Sequence, residues 1–282
     1  MDEKKETLPG GSNPTQEGFS LLEKAAGGKT LTVRDDQMEF PWLLDSIRLC
    51  RKNGGRFRLI DSGKLEGVRL EWLVQGGADV YTSDEVDRPF DELQSIAVTA
   101  QRAGNMAALL ISGSPGTFAG AEEGSGEDGY FKLQNLALSG VTVFISGSDK
   151  EIGRLTGLAA CHQTQGRHLV FYHKGALTED LFSLGESGAW IHMKGESLEG
   201  LESTLLTGGV VKASQKSGAN CVFHFMKRAD TALLSDLRSL GARFIFHTPH
   251  FDFRSPHREF EDWAKDQPLD HRAYYLYPAF FP

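Results

Sequence analysis

The chain has 282 residues, 40% hydrophobic and 24% charged, with a formal net charge of -8. Such a composition is that of a globular protein able to bury a core, and it excludes a disordered or fibrous chain. The acidic balance, with no long Lys/Arg run, argues against a nucleic-acid binder, because phosphate contacts need a basic face.

Residues 1–17 are polar and rich in Gly, Pro and charge. They bury too little apolar area to offset the entropy of ordering, so the expectation is a disordered tail ahead of one domain over 18–282. The tail carries no apolar core of a signal peptide, and no apolar run in the chain approaches the ~18 residues that span a bilayer. Residues 18–27 predict a short helix.

Short runs rich in β-branched and aromatic residues then recur: Thr30–Arg34, Phe57–Ile60, Asp79–Thr82, Ala107–Ile111, Val141–Ile145, His168–Tyr172, Ala189–Met193, Cys221–Phe225 and Arg243–His247. They lack strict apolar/polar alternation, as expected of parallel strands buried on both faces. Between them lie helix-period segments such as Leu65–Val74, Leu198–Leu206 and Thr231–Leu240. Glycine precedes many strands (Gly77, Gly140, Gly188, Gly218, Gly241), the residue that most easily ends a helix in the left-handed conformation. Ser, Asp or Thr follows several strands, as at Ser83-Asp84 and Ser146-Gly147-Ser148-Asp149, and these residues cap helix starts.

Repeated strand–helix units predict an α/β fold, a (β/α)8-type barrel, with an open doubly wound sheet as the alternative. Nine strand candidates are one too many for eight, so one run is expected to lie outside the barrel or to be no strand. Two segments break the cadence. Residues 113–129 are crowded with Gly and acids and read as a mobile loop or lid on the face where strands end. Residues 273–282 read Ala-Tyr-Tyr-Leu-Tyr-Pro-Ala-Phe-Phe-Pro, an aromatic tail that has to pack across the barrel or against a partner subunit or second copy.

In a barrel the chemistry sits at the C-terminal ends of the strands. The early strands end in acids, Asp35, Asp36, Asp61 and Asp84. Later strands end in His173 and Lys174, His192 and Lys194, His224 and Lys227, then His247 and His250. The mouth is therefore expected to hold a cation on one side and an anion on the other. Asp36, Asp61 and Asp84 are the candidate ligands of a divalent metal. His192, Lys194, His224 and Asp61 are the candidate catalytic groups, and Asp84, His173, Lys174, Ser146 and Ser148 the candidate ligand-binding groups. Side-chain alternation puts His192 and Lys194 on one face above Trp190, and forbids His173 and Lys174 from both pointing inward.

Ile191-His192-Met193-Lys194 resembles the His-x-Lys-Asp end of a late strand in xylose-isomerase-like barrels, over four residues and with Gly195 where that pattern has Asp. The first strand lacks the His-x-His of amidohydrolase-type barrels. Ser112-Gly113-Ser114-Pro115-Gly116 approximates a nucleophile elbow but has Ser112 where Gly is required. The three cysteines, Cys50, Cys161 and Cys221, are far apart, which suits reduced thiols in a cytoplasmic protein. The functional expectation is a barrel that binds a small anionic or phosphorylated metabolite, as a metal-assisted isomerase, lyase or hydrolase. The alternative is a catalytically inactive barrel serving as a binding or scaffold subunit.

Overall fold

A computed structural model describes residues 14–121, 128–147, 152–175, 177–195, 201–225 and 231–246. Among these residues nine strands form one sheet in simple chain order: β1 Leu31–Arg34, β2 Phe57–Ile60, β3 Ala78–Ser83, β4 Ala107–Ile111, β5 Val141–Gly147, β6 Val170–His173, β7 Trp190–Lys194, β8 Cys221–Phe225 and β9 Arg243–Phe246. Every neighbouring pair is parallel. Among the described residues nine helices precede, separate and link them: α1 Pro14–Ala26, α2 Phe40–Lys52, α3 Gly67–Gly76, α4 Phe90–Ala103, α5 Gly129–Leu138, α6 Ile152–Thr164, α7 Asp180–Glu186, α8 Leu201–Lys216 and α9 Thr231–Ser239.

This is an α/β fold of (β/α)8 type with an additional strand. A doubly wound sheet reverses its strand order at a switch point, and no reversal occurs between β1 and β9. All nine expected runs pair, so none lies outside the sheet; the surplus over eight is a real ninth strand. Within the described residues the pairing runs from β1 to β9 without a β9–β1 ladder.

The strands are apolar on the face toward the helices. Leu109, Val143, Ile145, Phe171, Ile191, Met193, Phe223 and Phe225 pack with Leu133, Leu155, Leu158, Leu184 and Val210 of the helices. A second cluster joins Phe57, Leu59 and Val80 to Leu43, Ile47, Leu70 and Leu73. The opposite sheet face is buried as well, under Tyr81, Phe144, Tyr172, His192 and His224, which explains the absence of polar alternation in the sequence.

Junction chemistry follows the sequence. Gly77 ends α3 at φ 119, where a Cβ would meet the Arg51 side chain at 2.5 Å. Asp128 caps α5 by accepting a hydrogen bond from the Phe131 amide at 3.1 Å. Ser83, by contrast, makes no side-chain capping bond.

Three boundaries differ from the sequence expectation. α1 begins at Pro14, inside the stretch assigned to the tail, because proline is compatible with a first helical turn and Gly18 lets α1 lie close against Trp42 of α2. Residues 1–13 lie outside the described residues. In the expected loop 113–129, Pro115–Gly120 form a 3-10 segment with Pro115, Gly116 and Phe118 buried against α5, an apolar anchor that a reading of Gly and acid content overlooks. Residues 122–127 lie outside the described residues, as do Ser148, Lys227, His247, His250 and the tail 273–282.

Candidate functional site at the strand ends

The candidate residues divide by sheet face. Val143 and Ile145 point to the helices, so Phe144 and Ser146 take the other face; the same alternation sends Tyr172, Trp190, His192, Val222 and His224 with them. Register aligns Ser146 with Tyr172, Tyr172 with His192, and His192 with Val222. One polar row therefore crosses β5, β6 and β7, and His224 stands one step farther along β8.

The contacts along this row are close. The Phe144 and Tyr172 rings stack with centroids 6.4 Å apart, and the Tyr172 and His192 rings are tilted at 4.8 Å. His192 Nδ1 lies 2.8 Å from His224 Nε2. Both imidazoles are fully buried. The Ser146 hydroxyl is buried and finds no hydrogen-bond partner among the described residues. Trp190, two residues before His192, is buried on the same face, as the alternation requires. The Lys194 backbone pairs in register with His224.

His173 does not join the row. It is buried with its ring 5.8 Å from Phe171, on the helix-facing side. Lys174 is exposed, and its amide donates to the Gly147 carbonyl at 2.8 Å.

The acids are engaged in protein contacts. Asp61 follows β2 on the helix-facing side and pairs with Arg88, whose Nη2 donates to Asp61 Oδ1 at 2.7 Å and whose Nε donates to Oδ2. Thr82 Oγ1 and the Gly63 amide also donate to Asp61, at 2.8 and 2.9 Å. Arg88 further donates to the Leu65 carbonyl and to Glu92. Burial lowers the Arg88 pKa, but the hydrogen bond and charge of Asp61, helped by Glu92, more than offset it and leave it raised. Asp61 thus ties β2, β3 and the start of α4 together, and faces away from His192.

Asp84 accepts from the amides of Ser112 and Gly113 at 3.0 and 2.8 Å and from the Ser112 hydroxyl at 2.8 Å. It lines a cleft of about 190 Å³ with Ser83, Asp87, Ser114 and Thr117. Asp36 is ion-paired with Arg34 at 2.9 Å. Asp36, Asp61 and Asp84 do not converge, and among the described residues no group of three His, Cys, Asp or Glu is placed to hold a metal. The expected acidic half of the mouth is replaced by three separate structural contacts.

One residue central to these contacts, Arg88, was not singled out from the sequence. Arg88 lies in a loop of mixed charge, and nothing in Asp87-Arg88-Pro89 marks it as buried. Asp35 is buried and accepts from the Ser62 and Leu65 amides at 2.9 and 3.3 Å, organising the turn after β2. The neighbouring Asp36 gave the same sequence signal but is exposed.

No protein-family model matches the chain, and no curated protein matches it. Among solved structures, an HpcH/HpaI aldolase from Desulfitobacterium hafniense DCB-2 is similar at 12% identity over 89% of this chain and 90% of that one, with a TM-score of 0.31. An HpcH/HpaI aldolase/citrate lyase family protein from Burkholderia cenocepacia J2315 is similar at 13% identity over 90% of each chain, with a TM-score of 0.29. A D-psicose 3-epimerase is similar at 13% identity over 74% of this chain and 90% of that one, with a TM-score of 0.30. Superpositions this loose transfer neither fold detail nor site residues. Among the described residues no helix is long and apolar enough to cross a membrane.

Proposed function

We propose that the protein binds a small anionic or phosphorylated metabolite at the C-terminal ends of β5–β8, with His192 and His224 handling a proton and Lys194 meeting the anion. The observation that carries this reading is the row Ser146–Tyr172–His192 with His224 beside it, on the sheet face away from the helices. Buried polar groups are costly unless used, and a cluster of hydroxyl and imidazole groups at strand ends is the composition of a proton-transfer site. An isomerase or lyase that shifts a proton next to a carboxylate or phosphate is the reaction class this donor set fits. Asp61 and Asp84 take no part in it, because their oxygens already accept from Arg88, Thr82, Ser112 and Gly113.

A second reading is a binding or scaffold subunit without catalysis. It is favoured by the stacked Phe144 and Tyr172 and by buried Trp190, which give the same face an aromatic filling.

Thermal-shift measurements with inorganic phosphate, sugar phosphates and small dicarboxylates separate the two, with metal analysis of the purified protein alongside. The first reading expects a rise in Tm with at least one class, lost in Ser146→Val and His192→Gln. No shift with any class leaves the scaffold reading.

A further inference from the structure

An aromatic band crosses the outer surface of α1, α2 and α3. Phe19 is 57% exposed, Trp72 53% and Val68 60%. Phe19 meets Trp42 edge-on at 5.2 Å, joining α1 to α2, and Phe40 meets Trp72 at 6.0 Å, joining α2 to α3. Val68 and Trp72 lie one helical turn apart and form one stripe. Beside the Trp72 indole a groove of about 500 Å³ opens between α2 and α3, lined by Leu44, Arg48, Gln75 and Gly76. Gly76 keeps it open, since a Cβ there would stand 3.2 Å from Leu44. Keeping so much joined apolar surface in water is costly, and such a band marks a docking surface.

We propose that the occupant is the same face of a second copy of this chain, in a symmetric pair in which Trp72 of each copy enters the groove of the other. The face carries a knob and a hollow side by side, and a two-fold axis between them fills both at once. A hollow of this size is in the range that holds a ligand larger than an indole. The area is sufficient. Helices of 13, 13 and 10 residues side by side make a face roughly 30 Å wide and 15–20 Å long, with an accessible area on the order of the ~800 Å² that each partner of a standard interface buries. The charges also suit a self-pair. The chain as a whole carries -8, but exposed Asp45, Arg48 and Arg69, on the groove or one turn from its lining residues, are mixed in sign. Two copies therefore meet here without the like-charge repulsion that their net charge creates. Each Arg48 comes to lie against the other copy's indole, a cation–π contact. Gln75 lies one turn beyond Trp72 on the groove side, so the axis passes beside it and brings the two Gln75 side chains together.

The test is sedimentation equilibrium of the full chain from roughly 1 to 200 µM, where an interface of this size associates. The expected result is a monomer–dimer equilibrium, weakened roughly 30-fold or more by Trp72→Glu, the loss from removing a central Trp anchor. Val68→Lys weakens it too, and both variants keep the parent's Tm, because the replaced side chains are more than half exposed. A cross-link then locates the axis, in a Cys161→Ser background because Cys50 and Cys221 are buried. Under mild oxidation Gln75→Cys should give a disulfide-linked dimer that thiol reductant reverses. Phe131→Cys, at an exposed apolar position of α5, should not. A chain that stays monomeric across the whole range overturns the proposal. So does a dimer that Trp72→Glu and Val68→Lys both leave unchanged, or one that Phe131→Cys links as readily as Gln75→Cys.

Discussion

His192 Nδ1 and His224 Nε2 face each other at 2.8 Å across β7 and β8, close enough for a single shared proton. With both rings neutral, that proton fixes both tautomers. If His192 donates from Nδ1, His224 accepts at Nε2 and carries its own proton on Nδ1. If His224 donates from Nε2, His192 carries its proton on Nε2. The two rings are therefore always in the same tautomer, and a proton arriving at one outer nitrogen releases one from the other. Long-range 15N–1H correlation spectra of histidine-labelled protein should show His192 and His224 as the same tautomer at neutral pH. Opposite tautomers would leave two lone pairs or two N–H groups face to face, and observing them would refute the shared proton. His224→Phe should cost about 1–3 kcal/mol, the penalty for leaving a buried polar atom without its partner.

The Asp61–Arg88 pair makes a sharper stability prediction. Both side chains are buried, and the guanidinium also holds Glu92 and the Leu65 carbonyl. Arg88→Met strands a buried carboxylate and should destabilise by about 3–5 kcal/mol in urea denaturation. The double change Asp61→Leu with Arg88→Met should recover part of that loss, since no uncompensated charge remains. A loss under 1 kcal/mol for Arg88→Met would show that the pair is not desolvated.

His162 of α6 gives the protein an acid-sensitive element. It is fully buried, and neither ring nitrogen has a hydrogen-bond partner among the described residues. Burial, with the charges of Arg167 and His168, lowers its pKa from 6.5 to about 3. The unfolded chain takes up this proton below pH 6.5 and the folded chain does not until about pH 3. Its contribution is thus intact above pH 6.5 and is lost as pH falls toward 3, at about 1.4 kcal/mol per pH unit. His162→Met should flatten the stability profile across that window and, by removing an unsatisfied N–H, raise stability at pH 7 by about 1–3 kcal/mol. An unchanged profile in denaturant titrations between pH 4 and 7 would sink this account.

The fold was legible because the information is local and repeated. Glycine at helix ends, as at Gly77 and Gly188, and continuous apolar runs such as Ala107–Ile111 are fixed by backbone conformation and burial on two faces. The site was legible only in part. Alternation correctly groups Trp190 with His192 and separates His173 from Lys174, because period-two geometry holds within any strand. It says nothing about residues just past a strand. Asp61 and Asp84 close their strands in sequence, yet one turns toward Arg88 and the other toward Ser112, choices made by partners 27 and 28 residues away. Distant pairing of this kind leaves no mark on a single sequence.

Lys194 is the residue on which the ligand reading turns. Its backbone pairs with His224, and Trp190 is buried two layers of β7 below it. In the proposed site the Lys194 ammonium meets the ligand's anionic group through a charge-assisted hydrogen bond. Lys194→Met should therefore abolish the ligand-induced rise in Tm, with a loss of roughly 1.5–3 kcal/mol in binding, the range for a hydrogen bond to a charged group. The unliganded Tm should stay within a few degrees of the parent. If Lys194→Met unfolds instead, the ammonium is held by an acid of the protein and its role is structural. If the variant binds phosphate compounds as before, the anion is met elsewhere, and exposed Lys174 at the end of β6 is the next cation to replace.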